Sequence, residues 1–133
     1  MTEEATAGRP SAAEARRWVG NRVDDAGGAS VGQVQGFFVD AEDGEPSWLI
    51  AKLGHFRGPL VAIPIEDCAG GGGKVWVAHE RDAIRRAPVV DPTRPLLREH
   101  ELTISAHYGI GPELGRAAAV GSRTEGATTS KPA

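Results

Sequence analysis

Residues 48–68 read WLIAKLGHFRGPLVAIPIEDC, and their pattern decides the fold. Two apolar runs, 48–53 and 60–65, flank a six-residue break at 54–59. Successive strand residues point to opposite faces. Lys52 marks one face of the first run as outward, so Leu49, Ala51 and Leu53 point inward and Trp48 and Ile50 share the outer face. On the return run Val61, Ile63 and Ile65 form the inward set. Pro64 has no amide to donate and requires a strand edge or a bulge at that point. The break is then a hairpin connection whose geometry is set by Gly54, Gly58 and Pro59. His55, Phe56 and Arg57 are its tip residues, able to touch a partner but without neighbours that would make a chemical site.

Outward from this pair the pattern stays β-like over residues 22–78, with turn signals at short intervals. RVD (22–24) is a short first strand, followed by the turn DAGG. SVGQVQGFFVD (30–40) is a longer strand in which Val34 falls on one parity while Phe37 and Val39 fall on the other. A bulge near Gly36 returns all three to a common face and bends the strand. Asp-Gly within AEDGEP (41–46) is a strong turn signal, and Pro46 opens the following strand. GGGGKVWVAH (70–79) supplies a fifth strand, with Val75 and Val77 inward and Trp76 outward. The period then changes. HERDAIRRAP (79–88) reads as a short helix stopped by Pro88, VVDPTRP as an extended connector, and LLREHELTISAHYG (96–109) as an amphipathic helix with Leu97, Ile104 and Tyr108 on one stripe. The expectation is a mainly β fold, a small antiparallel barrel of five to six strands with a C-terminal helical appendage. Residues 14–90 form the barrel and 91–110 the connector and helix. Residues 1–13 and 111–133, rich in Gly, Ala, Ser, Thr and Pro, hold too few large apolar side chains to offset the entropy of ordering and read as disordered tails.

The composition excludes several function classes. A net charge of −3 over 133 residues gives no general attraction to nucleic acid or anionic lipid. The single Cys68 cannot form an internal disulfide. No stretch approaches the length of a membrane-spanning apolar segment and no apolar run follows Met1, so the expectation is a soluble, cytoplasmic chain without membrane insertion.

Each motif that hints at chemistry has a stronger plain reading. AGGGGKV lacks the first glycine and the final hydroxyl of a phosphate-binding loop, since Cys68 and Val75 occupy those positions. VDAEDGEP places Glu45 where a calcium loop needs its turn glycine. His100 and His107 lie two helical turns apart, too far to share an ion, and neither a Cys-x-x-Cys nor a His-Glu-x-x-His motif is present. Cys68 as a nucleophile would need a base and an orienting acid, with His79 its only sequence neighbour. Arg81, Arg85, Arg86, Arg94 and Arg98 are diluted by acidic residues and lack interleaved aromatics, which reads as a solvated face and not a nucleic-acid site. No catalytic residue, cofactor or metal is expected.

The order of these features resembles a known family. VGNRVDDAGGASVGQVQGFFVDAEDGEPSWLIAKLG is similar to the opening of PRC-barrel domains: a glycine-containing entry, a short strand, a G-x-V segment ending in Val-Asp, an acidic glycine turn and an aromatic-led apolar strand. LVAIPIEDC is similar to the strand end that follows. VWVAHERDAIRRAPVVDP and ELTISAHYGI resemble the continuation in stand-alone bacterial, particularly actinobacterial, members. The resemblance covers residues 19–110, with His79 standing where an aromatic is common. It implies a non-enzymatic structural or adaptor module, as in the cytoplasmic part of the photosynthetic reaction-centre H subunit and in ribosome maturation factors. A small-ligand-binding or electron-transfer-linked accessory module is the alternative it leaves open.

Within that frame the outer-face tryptophans Trp48 and Trp76 stand out, because two such side chains on a small barrel should not both face water. Either the C-terminal helix lays Leu97, Ile104 and Tyr108 over them, or they anchor a homodimer or an interface with a protein partner, where Trp is favoured. Trp48, Trp76, His55, Phe56 and Arg57 are therefore the candidate interface residues.

Overall fold

The computed structural model describes residues 10–54 and 57–110. Ten short elements follow one another: α1 (Ala12–Trp18), β1 (Arg22–Asp24), β2 (Ser30–Val39), β3 (Pro46–Leu53), β4 (Leu60–Pro64), a 3-10 turn (Ile65–Asp67), β5 (Cys68–Gly71), β6 (Lys74–Val77), α2 (Arg81–Arg85) and α3 (Arg98–His107). The six strands form one sheet in the order β4-β3-β2-β1-β6-β5. The expected alternation holds in the decisive pair. Leu49, Ala51, Leu53, Val61, Ile63 and Ile65 all enter the inner apolar cluster, with Val75 and Val77 from β6. That cluster takes residues from every strand, so the sheet curls around one core. The register slips between Val34 and Gly36, the expected bulge. It brings Val34 and Phe37 inward together, whereas Val39 stays at the margin and Phe38 turns to the opposite face.

Three features depart from the sequence reading. First, the sheet is mixed: β1 pairs with β6 in parallel, and every other ladder is antiparallel. Counting reversals gives the reason. β6 runs with β1, so β5 runs in the same sense as β4. The 3-10 turn at Ile65–Asp67 therefore bends the chain without reversing it. This bend carries the chain from one sheet edge to the other, and no ladder joins β4 to β5 among the described residues, so the sheet curls without closing into a hydrogen-bonded barrel. Second, the Gly-rich run is a hairpin. Gly72 and Gly73 both adopt positive φ, 61° and 81°, as a two-residue turn between β5 and β6 requires. Third, α1 begins inside the stretch assigned by composition to the N-terminal tail. The Ser11 hydroxyl accepts the Glu14 N–H at 3.1 Å and caps it. Trp18 ends the helix and sits directly on Gly70, where any Cβ would collide with the indole. It thereby plugs one end of the core.

Among the described residues, the outer face of the sheet is covered on one side only. After α2 the chain bridges to the β4 edge at Val61 and Val89, and the Val90 N–H donates to the Leu60 carbonyl at 2.8 Å. This protects an otherwise open edge at a strand already bearing Pro64. From there α3 returns across β3 and β4. Ile104, Leu96 and Val90 pack on Phe38, Trp48, Ile50 and Ala62, forming a second apolar cluster. The Tyr108 hydroxyl fastens the end of α3 by donating to the Ala62 carbonyl at 2.8 Å. Among the described residues, nothing of this kind covers the outer side of β1, β5 and β6. No helix among the described residues is long and apolar enough to cross a membrane.

Candidate interaction surface

The two outer-face tryptophans have opposite fates. Trp48 is 2 % exposed, enclosed by α3, and its Nε1–H donates to Glu101 Oε2 at 3.1 Å. It is an internal residue of the α3 contact and cannot present its ring to a partner while α3 is docked, which corrects its place among the interface candidates. The covering stripe uses Ile104 and Tyr108 as expected but not Leu97, which lies at the helix N-cap and is 59 % exposed. Trp76 is 42 % exposed on the uncovered half of the face. Arg57 is exposed in the β3–β4 connection, and His55 and Phe56 lie outside the described residues.

Register places Trp76 in a defined setting. Lys52 of β3 stands opposite Gln33 of β2, Gln33 opposite Arg22 of β1, and Arg22 beside Lys74 of β6. These four make one row across the outer face, and Trp76 and Asp24 form the next. The Asp24 side chain is buried. It accepts a 2.6 Å bond from Arg22 Nε and lies 3.5 Å from Lys74 Nζ. The hydrogen bond from Arg22 holds the Asp24 carboxyl below its ordinary range against the upward push of burial, and the charges of Arg22 and Lys74 pull the same way. An ionised Asp24 therefore fixes both cations in position. Lys74 Nζ also lies 5.9 Å from the centre of the Trp76 ring, within cation–π range. The result is a half-exposed indole bordered by fixed positive charge on a sheet face. An arrangement of this kind is suited to non-covalent contact, with an aromatic anchor and charges that set orientation. The sequence reading missed the row because its members come from four strands and meet only through register.

Groups that suggested chemistry are engaged in holding the fold. Cys68 is buried and its Sγ–H donates to the Pro64 carbonyl at 3.4 Å. Burial, with the charge of Asp67, pushes its thiol far above the usual range, which opposes a nucleophilic role. His79 Nε2 lies 2.7 Å from Asp67 Oδ2, and its ring packs 4.6 Å from that of Tyr108. His107 Nε2 donates to the Ala83 carbonyl at 2.7 Å, tying α3 to α2. Among the described residues no group of three His, Cys, Asp or Glu side chains is placed to hold a metal ion. The acidic turn carries its own bonds: Asp40 Oδ1 accepts the Glu42 N–H, and Asp43 Oδ1 accepts the Glu45 N–H. This is turn chemistry of the Asx type.

A comparison with curated proteins returned no match. The family model of the PRC-barrel domain matches residues 11–94, from the cap of α1 to the connector that follows α2, and leaves α3 outside the matched span. With well over half of the chain matched and the mainly β sheet in place, the chain belongs to the PRC-barrel domain family.

Proposed function

We propose that this protein is a non-enzymatic interaction module that binds a protein, a second copy of itself or another chain, through the uncovered half of its sheet around Trp76. The observation that carries this reading is the contrast between the tryptophans: α3 encloses Trp48 and leaves Trp76 exposed beside Lys74. Occupation of Cys68, His79 and His107 in structural hydrogen bonds supports the non-enzymatic side of the reading. The concave side of the sheet is filled by the inner apolar cluster with Trp18 set on Gly70, which favours an outer-face role over a ligand cavity at the barrel mouth. Affinity capture from native-host extract with wild-type and Trp76→Ala bait, together with sedimentation of both, tests it. Loss of complexes or of self-association in a folded Trp76→Ala variant is the expected result. Identical recovery and identical sedimentation overturn it.

A further inference from the structure

Asp24 apart, the charges of the outer face and of the β2–β3 turn are segregated along the strands. Lys52, Arg22 and Lys74 share one row near the β3 C-terminal end, and Asp24 neutralises one of the three. At the opposite end of β3, the β2–β3 turn carries Asp40, Glu42, Asp43 and Glu45 within six residues, with Glu42 and Asp43 exposed. β3 runs from Pro46 to Leu53 between them, so about 20 Å of strand, at roughly 3.3 Å per residue, separates the two charge groups. They are too far apart to satisfy each other within one copy. Asp40 and Asp43 spend one side-chain oxygen each on the backbone of the turn, whereas Glu42 and Glu45 have no described side-chain partner. A net charge of −3 conceals this polarity, which is why composition alone points to no charged partner.

On the reading of this face as an interaction surface, we infer that its occupant is the acidic β2–β3 turn of a second copy, docked on the Lys52–Gln33–Arg22–Lys74 row with Trp76 at its border. The row and the turn are different surfaces, so every contact pairs the turn of one copy with the row of another. Association grows with protein concentration, and because the contact is electrostatic at an exposed face it weakens as salt rises.

The full-length protein tests this in four samples followed by sedimentation velocity at low and high salt: wild type, a row variant (Lys52→Glu with Lys74→Gln), a turn variant (Glu42→Lys with Glu45→Lys), and an equimolar mixture of the two variants. The turn variant spares Asp40 and Asp43, which hold the turn. Circular dichroism checks that each is folded, and Lys52→Glu alone serves if the paired change at Lys74 disturbs Asp24. Wild type is expected to associate at low salt and to be monomeric at high salt. Each variant alone loses about tenfold or more in association constant, as the removal of two favourable charge pairs implies. The mixture recovers a species that stops at one-to-one, since one intact row meets one intact turn. A wild type that is monomeric throughout overturns the inference, as does a mixture that stays monomeric or a self-association indifferent to both variants. The broader reading fails separately. If Trp76→Ala abolishes a contact that the charge variants retain, the uncovered face is an interaction surface and its occupant is not the acidic turn.

Discussion

Glu101 is a carboxyl with no exposed surface, pressed between α3 and β3, and replacing it isolates the cost of its charge. Oε2 accepts the Trp48 indole N–H, whereas Oε1 has no hydrogen-bond partner. Burial raises its pKa from 4.5 to about 7. The Trp48 hydrogen bond and the Arg98 charge pull it down, and the Asp40 carboxylate pushes it up. A carboxyl whose folded-state pKa lies above its unfolded value binds more protons when folded. Its contribution to stability is complete below the unfolded pKa and is lost as pH rises through the folded one. Taking the shift from 4.5 to about 7 at 1.36 kcal/mol per unit, the ionised group costs the fold about 3 kcal/mol at alkaline pH. Glu101→Gln retains an acceptor for Trp48 and cannot ionise. Urea unfolding of both proteins, followed by tryptophan fluorescence at about pH 5 and about pH 8.5, gives a difference of differences in which all other titrations cancel. The variant is expected to gain about 2.5 kcal/mol on the wild type between the two conditions. An unchanged gap between wild type and variant at the two pH values refutes the assignment of a neutral, buried Glu101.

Three further outcomes follow from the packing. Trp48→Ala removes the central side chain of the outer cluster and is expected to destabilise by about 3–5 kcal/mol in urea, whereas Trp76→Ala stays within about 0.5 kcal/mol of wild type. Asp25 accepts the N–H groups of Gly27 and Ala29 through Oδ1 and of Arg81 through Oδ2, which lower its pKa. Asp25→Ala strips three bonds at once and should cost about 3 kcal/mol at neutral pH, measured by the same unfolding curves. The wild-type contribution of Asp25 should fade as pH falls below the ordinary carboxylate range. Cys68, with its buried thiol held neutral, should resist a thiol-reactive dye in the native state and react at once in denaturant; rapid native labelling would contradict the packing.

The legible parts of the fold were those in which side chains report their face. Lys52 between Ala51 and Leu53 set the parity of β3, and the parity clash of Val34 with Phe37 located the bulge that the register shows. Pro64 announced an edge and sits on one. The β5–β6 hairpin was illegible because Gly70 and Gly71 have no side chains to alternate, and the four glycines read as slack. The parallel β1–β6 pairing depends on whether Ile65–Asp67 bends or reverses the chain, which three residues of local sequence do not determine. The α1 start was written in the Ser11 and Glu14 spacing, a helix-entry signal, but the Ala- and Gly-rich surroundings masked it. Of the interface candidates, Trp48 and Trp76 have the same strand parity relative to the core, and only the path of α3 across β3 and β4 separates them. The basic row is a product of register and leaves no mark in any one segment.

The most direct test of the central claim is oxidative footprinting of the tryptophans, free and in complex. The complex is either the one captured from the host or the self-associated protein at low salt. Trp76 should be oxidised in the free protein and protected on association, while Trp48 remains unreactive in both states. Equal oxidation of Trp76 in the free and associated protein would contradict it.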